Sequence, residues 1–296
     1  MSKVRKKIFL NNKIRFTLTL GVILLIFFLI TIYPFRSEIR DRKKNPVGIS
    51  DRPTSKAMTQ IPTLTLKPKI SEKKIYPSQV IDLTNWKITL PVGFSESPKE
   101  IKQPILATYA LAPWFSLAPG GGVRFRAPVN AVTTGGSNYP RSELLEVTNN
   151  GRSKIGWSSQ EGMHSMILDQ AITAVPKIKQ HIVAGQIHDQ ERDIIVIRLD
   201  NPNLHIRIGG KNVHTLDSQY ALGKRFTVRF EVNDGKTRIY YNGETNPSYT
   251  LNLNYSNAYF KAGAYTQSNC SKEGPALCSD DNYGEVIVYQ VTVAHR

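Results

Sequence analysis

The sequence predicts an all-β domain of two packed antiparallel sheets running from residue 76 to the end of the chain. Three observations predict it. Apolar and polar residues alternate in short runs, the period of a strand with one buried face. Tight-turn dipeptides separate the runs. Few stretches carry the three-to-four-residue apolar stripe of a helix. The clearest run is Arg225-Phe226-Thr227-Val228-Arg229-Phe230-Glu231-Val232, which stops at Asn233-Asp234-Gly235. Lys236 to Tyr241 returns and ends at Asn242-Gly243. Ile194 to Leu199, Leu204 to Ile208 and Glu285 to Val293 read as further strands. A β-domain of about 220 residues exceeds an immunoglobulin-like unit and suits a β-jelly roll.

The residues before it read differently. The chain of 296 residues carries a net charge of +16. Residues 1–75 hold 17 of the 39 Lys and Arg but only 4 of the 23 Asp and Glu, a balance of +13, so residues 76–296 balance at +3. The basic pI therefore belongs to the tail and does not imply a nucleic-acid partner. Residues 1–15 form a basic segment. Phe16 to Tyr33 is an uncharged apolar run of 18 residues, about 27 Å long as a helix. No small-residue cleavage pattern follows it, which favours a transmembrane signal anchor over a cleaved signal peptide. Residues 34–75, rich in Lys, Arg, Pro, Ser and Thr, read as a flexible linker. The expected location is a membrane-anchored protein with its domain exported, or a secreted one.

Cys270 and Cys278 fit export. They lie in a loop-like stretch from Ser268 to Asn282, and closing the ring of about nine residues between them as a disulfide would stabilise by roughly 2.5 kcal/mol in the chain-entropy model. Two thiols so spaced make a poor metal site. No metal-ligand cluster or cofactor motif stands out, so neither is expected, and the chain is read as a monomer.

Three segments carry candidate chemistry. In Tyr259-Phe260-Lys261-Ala262-Gly263-Ala264-Tyr265-Thr266-Gln267, strand alternation puts Tyr259, Lys261, Tyr265 and Gln267 on one face, with Gly263 leaving a gap, and Phe260, Ala262 and Ala264 on the other. In His181 to His188, Gln186 and His188 share a face. In Pro140-Arg141-Ser142-Glu143-Leu144-Leu145-Glu146-Val147, Arg141 and Glu143 share a face and Glu146 takes the other. Phenol, ammonium, amide and guanidinium groups in this arrangement suit an extended, anionic, hydroxylated ligand. Taken singly, each segment reads equally as a solvated strand face.

Taken together, R-S-E-L, Q-I-H and Y-F-K-A-G-x-Y-x-Q, in that order after Val80-Ile81-Asp82-Leu83-Thr84-Asn85-Trp86, resemble the alginate lyases of polysaccharide lyase family 7 over roughly residues 78–296. The resemblance implies a concanavalin A-like jelly roll whose concave sheet binds alginate. It also implies β-elimination by Arg141, Gln186, His188 and Tyr259. Lys261, Tyr265 and Gln267 would line flanking subsites, with Glu143 in the cleft orienting Arg141. The family pattern R-x-E-x-R has Leu145 in place of its second Arg, which puts affinity in one subsite in doubt. Ile187 is associated by the same resemblance with guluronate-containing blocks. Two rival readings remain at this point: a glycoside hydrolase, which needs two carboxylates flanking the scissile bond, and a tethered carbohydrate-binding module or inactive lyase relative.

Overall fold

The structure is a computed structural model and describes residues 76–148 and 150–296. The expected basic segment, membrane anchor and linker lie outside the described residues. Among the described residues no helix is long and apolar enough to cross a membrane.

Among the described residues sixteen strands follow one another. The first eight are β1 (Trp86–Phe94), β2 (Ser97–Ile101), β3 (Phe115–Leu117), β4 (Val123–Pro128), β5 (Arg141–Thr148), β6 (Ser153–Lys154), β7 (His164–Ala174) and β8 (His181–His188). The rest are β9 (Asp193–Asp200), β10 (Asn203–Ile208), β11 (Lys211–Asp217), β12 (Arg225–Asn233), β13 (Lys236–Tyr241), β14 (Tyr249–Asn252), β15 (Tyr259–Thr266) and β16 (Tyr283–His295). They form two antiparallel sheets. One has the order β11-β10-β9-β8-β15-β5-β1-β2, with β6 beside β5; the other has the order β14-β13-β12-β7-β16-β4-β3. The expected all-β sandwich is therefore the fold.

The core lies between the sheets and follows from the alternation. On β12, Phe226, Val228, Phe230 and Val232 are buried while the residues between them are not. The turn into β13 uses Asp234 and Gly235, both at positive φ (52° and 69°), the two-residue geometry whose twist matches the flanking strands. The central strands of the other sheet depart from alternation. β5, β8 and β15 are buried on nearly every residue, on both faces. Their inner face meets the opposite sheet through Leu144, Ile187, Phe260 and Ala262, and their outer face is polar yet covered.

The stretch from Ser268 to Asn282, expected as loop, holds a short helix α1 (Cys270–Glu273) and a single 3-10 turn (Pro275–Leu277). Asn269 nucleates α1 by accepting from the Lys272 N–H, as an N-cap does. Cys270 and Cys278 are disulfide-bonded, with Cα atoms 4.8 Å apart. Within α1, Glu273 accepts from the backbone N–H groups of Ile178 (2.8 Å) and Lys179 (2.9 Å), fixing the loop between β7 and β8.

Candidate active site

Strand register assembles the site. Two rows of residues run across the sheet, each strand contributing the outward residue that pairs with its neighbour. One row is Arg207 on β10, Val196 on β9, Gln186 on β8, Lys261 on β15, Leu145 on β5 and Lys87 on β1. A second is Arg198, Val183, Tyr265 and Arg141, on β9, β8, β15 and β5. Tyr259 pairs with His188 on the other side of the first row. The rows stay aligned because the register of β15 on β8 shifts between Lys261 and Tyr265. Gly263 takes up that shift, at φ +123°, opposite Glu143. A Cβ there would lie 2.7 Å from the Ser142 carbonyl oxygen and 2.8 Å from the Phe125 ring. The expectation that Gly263 leaves a gap on the polar face is thus corrected: its missing side chain would collide on the core side, and glycine is required by the bulge.

At the centre sits Glu143, 1% exposed. Its carboxylate accepts from Lys261 Nζ at 2.6 Å, from Arg141 Nη1 at 3.2 Å and from the Gln186 amide. Burial works to raise its pKa, but the Lys261 and Arg141 charges and these hydrogen bonds hold it below the usual carboxylate range. Lys261 is pushed down to about 8, chiefly by burial, with Glu143 opposing, so its ammonium persists at neutral pH. Arg141 also stacks over the Tyr265 ring at 4.0 Å, and the Tyr265 hydroxyl lies 2.8 Å from Ser137 Oγ. Tyr139 meets Tyr265 edge-on, with ring centroids 6.5 Å apart, and accepts from Lys179 Nζ at 2.9 Å.

Beside this clamp the Tyr259 hydroxyl lies 3.1 Å from His188 Nδ1, and the two rings stack with centroids 5.5 Å apart. His188 Nδ1 also contacts the Asp189 carbonyl oxygen. A carbonyl only accepts, so Nδ1 carries the proton and Nε2 keeps the free lone pair. Burial first, and the Lys261 charge second, lower the His188 pKa from its ordinary value, against the Asp189 carbonyl, Glu143 and Asp193. Burial raises Tyr259 to about 12, helped by Glu143 and Asp189 and opposed by Arg141. At neutral pH the pair is a neutral imidazole and a protonated phenol.

These groups line a cleft of about 600 Å³. Arg141, Gln186, His188, Tyr259, Lys261, Tyr265 and Gln267 all face it. Glu143 does not; it lies under the floor, where the desolvation of a carboxylate is offset by two cations. Lys261, expected to line a flanking subsite, faces the cleft with its ammonium engaged by Glu143 and is 5% exposed. Leu145 faces the cleft in the row that holds Lys261. Sequence reasoning missed Arg198, Arg207, Ser137 and Tyr139 in the lining. Both arginines sit in strands that alternation identifies, but only the β8-β9-β10 order shows that their face continues the cleft.

A polar cleft crosses the outer face of a two-sheet β-sandwich, and a guanidinium, an amide and a tyrosine–histidine pair converge in it, as the resemblance to polysaccharide lyases implies. A family model described as alginate lyase matches residues 81–295, and the chain belongs to that family. It is similar to the crystal structure of the alginate lyase from Corynebacterium sp., with 47% identity, 75% of this chain and 98% of that chain covered, and a TM-score of 0.72. A second solved alginate lyase, from polysaccharide lyase family 7, is 45% identical, with 75% and 100% covered and a TM-score of 0.71. An alginate lyase from Klebsiella pneumoniae is 24% identical over 288 residues, with 74% of this chain and 91% of that protein covered. The protein is thus an enzyme, a lyase that cleaves alginate.

Proposed function

We propose that Arg141, Gln186, His188 and Tyr259 carry out the β-elimination, and the observation that carries this reading is the Tyr259 hydroxyl 3.1 Å from His188 Nδ1 at the cleft wall. The C5 proton of a uronate lies α to a carboxylate and is very weakly acidic. Its removal is feasible only if charge growing on that carboxylate meets aimed donors. Arg141 supplies a fixed guanidinium fork and Gln186 a neutral amide, both oriented from below by Glu143. Neutral His188 takes the proton through Nε2, and the Tyr259 phenol protonates the departing C4 oxygen. The product carries a C4–C5 double bond conjugated with the carboxylate. Mannuronate and guluronate present the C5 proton on opposite faces, and His188 as base serves the epimer whose proton faces Nε2. Tyr265 and Gln267 hold flanking sugars. No cofactor enters this scheme.

The catalytic domain acts as a monomer and is exported, tethered by Phe16 to Tyr33 or released from it. Supporting this are the apolar run after a basic segment and the Cys270–Cys278 bond. Both agree with an oxidising compartment.

Incubation with polymannuronate and with polyguluronate tests the reaction. The ultraviolet absorbance of the conjugated alkene rises in step with new reducing ends. Reducing ends without absorbance would mean hydrolysis, and neither would mean a binding module. The acid limb of kcat/KM reports the free base. Because the His188 pKa is lowered, activity persists below the ordinary histidine value of about 6.5 and falls as pH drops through the shifted one.

A further inference from the structure

The outer row of the sheet is electrostatically one-sided. Beyond Lys261 in one direction come Leu145 and then Lys87, whose ammonium is held by Glu100 at 2.7 Å. In the other direction come Gln186, Val196 and Arg207. Arg207 lines the cleft, and among the described residues no carboxylate lies within ion-pair distance of it.

Its neighbour Arg198 differs. Arg198 Nε is taken by Asp200 Oδ1 at 2.5 Å. Arg207 is instead held by a neutral group: its Nη1 donates to Asn212 Oδ1 at 3.0 Å, and Asn212 Nδ2 donates to Asp200 Oδ2 at 3.2 Å. Burial and the Arg198 charge pull the Arg207 pKa below the usual range, against Asp200 and Asp193. Arginine stays charged under such shifts. The result is an oriented guanidinium with no direct carboxylate partner among the described residues, facing a cleft that takes a polyanion.

We infer that Arg207 binds the carboxylate of a uronate two rings away from the ring held at His188, and so makes cleavage depend on chain length on that side. The span is two strand spacings, from β8 over β9 to β10, roughly 10 Å. A pyranose ring is about as long as one such spacing, so the ring over β9 intervenes and the next reaches Arg207. The inference rests on the lyase reading and adds a substrate-contacting residue to it. Past Leu145 the same row offers a sugar only an apolar side chain and a lysine already paired.

Steady-state kinetics on a dimer-to-hexamer series of mannuronate and guluronate oligomers, for the wild type, Arg207→Gln and Arg207→Lys, tests this. Arg207→Gln should lower kcat/KM on the order of tenfold, the scale of a hydrogen bond to a charged group, only for oligomers long enough to reach β10. Shorter oligomers should stay within about twofold, and Arg207→Lys should recover part of the loss. An equal loss at every length, or no loss at any length, would overturn the inference. Unaltered thermal unfolding of both variants separates these outcomes from misfolding. A wild type that cleaves neither oligomer nor polymer would refute the lyase reading instead.

Discussion

Glu143 and Glu146 stand three residues apart on β5, on opposite faces, 1% and 2% exposed. Glu146 turns toward the opposite sheet. It accepts from the Trp157 indole N–H at 3.3 Å and the Phe260 backbone N–H at 2.9 Å, and lies 2.6 Å from His295 Nε2. Glu143 turns toward the cleft and holds a lysine, an arginine and a glutamine. Burial alone does not distinguish the two. Their partners do: those of Glu146 join the two sheets, whereas those of Glu143 line the cleft. Glu146 ties the sheets together, and Glu143 positions donors that must not collapse or wander when a polyanion arrives. Burial under cations is not itself distinctive, since Glu285 on the other sheet is held in the same way by Arg124 and Arg126; what sets Glu143 apart is that its partners line the cleft.

The largest effect is expected at a residue that is neither glutamate. Tyr259→Phe removes only the phenolic hydroxyl, so turnover should fall by about 10² to 10⁴, the range of general acid–base groups, with unfolding unchanged. Turnover near the wild-type value would remove Tyr259 from the chemistry.

Alanine at the two glutamates sharpens the contrast. Glu143→Ala leaves Lys261 and Arg141 buried without their counter-charge and should destabilise by about 3–5 kcal/mol. Glu146→Ala strands the Trp157 and Phe260 N–H groups and should destabilise by about 1–3 kcal/mol. The folded fraction of Glu146→Ala should keep its turnover, and that of Glu143→Ala should not. The pH dependence has a definite sign. The Glu143 pKa is lowered in the folded state, so its ionisation stabilises above the ordinary carboxylate range. That stability is lost as pH falls through the lowered value. Urea midpoints of the wild type and Glu143→Gln should therefore converge in acid.

The smallest effect is expected at the periphery. Replacing Cys270 and Cys278 by serine should lower stability by roughly 2.5 kcal/mol. The wall formed by Lys179 and Tyr139 is tied to this segment through Glu273 and through Asn269, which donates to the Asn138 carbonyl at 3.0 Å, and neither contact reaches Tyr259 or His188, so kcat should move less than KM. A loss of kcat matching that of Tyr259→Phe would mean that the disulfide segment controls the chemistry itself.

Alternation and turn dipeptides made the strands legible. β12, with its four buried apolar residues and its Asp234-Gly235 turn, shows why: a half-buried antiparallel strand writes its faces into its period. The motifs placed Arg141, Gln186, His188 and Tyr259 on shared faces, and the register brings them together. Alternation could not show depth. Glu143 and Lys261 read as outward polar residues, and only the neighbouring strands show that they bury each other. Nor could it show reach. Arg198 and Arg207 look like the solvated residues of ordinary strands until sheet order carries the cleft across β9 and β10. The helix at Cys270 escaped because four residues with one N-cap have no periodicity to detect.

In the mechanism proposed above, Glu143 holds the donors of the cleft in reactive geometry. The most direct test is the initial rate of alkene absorbance on alginate for Glu143→Gln, normalised to folded protein. A misplacement of about 1 Å in such a site is enough for a loss on the order of 10²-fold, and a loss of that size is the predicted result. A rate within about twofold of wild type would contradict the account.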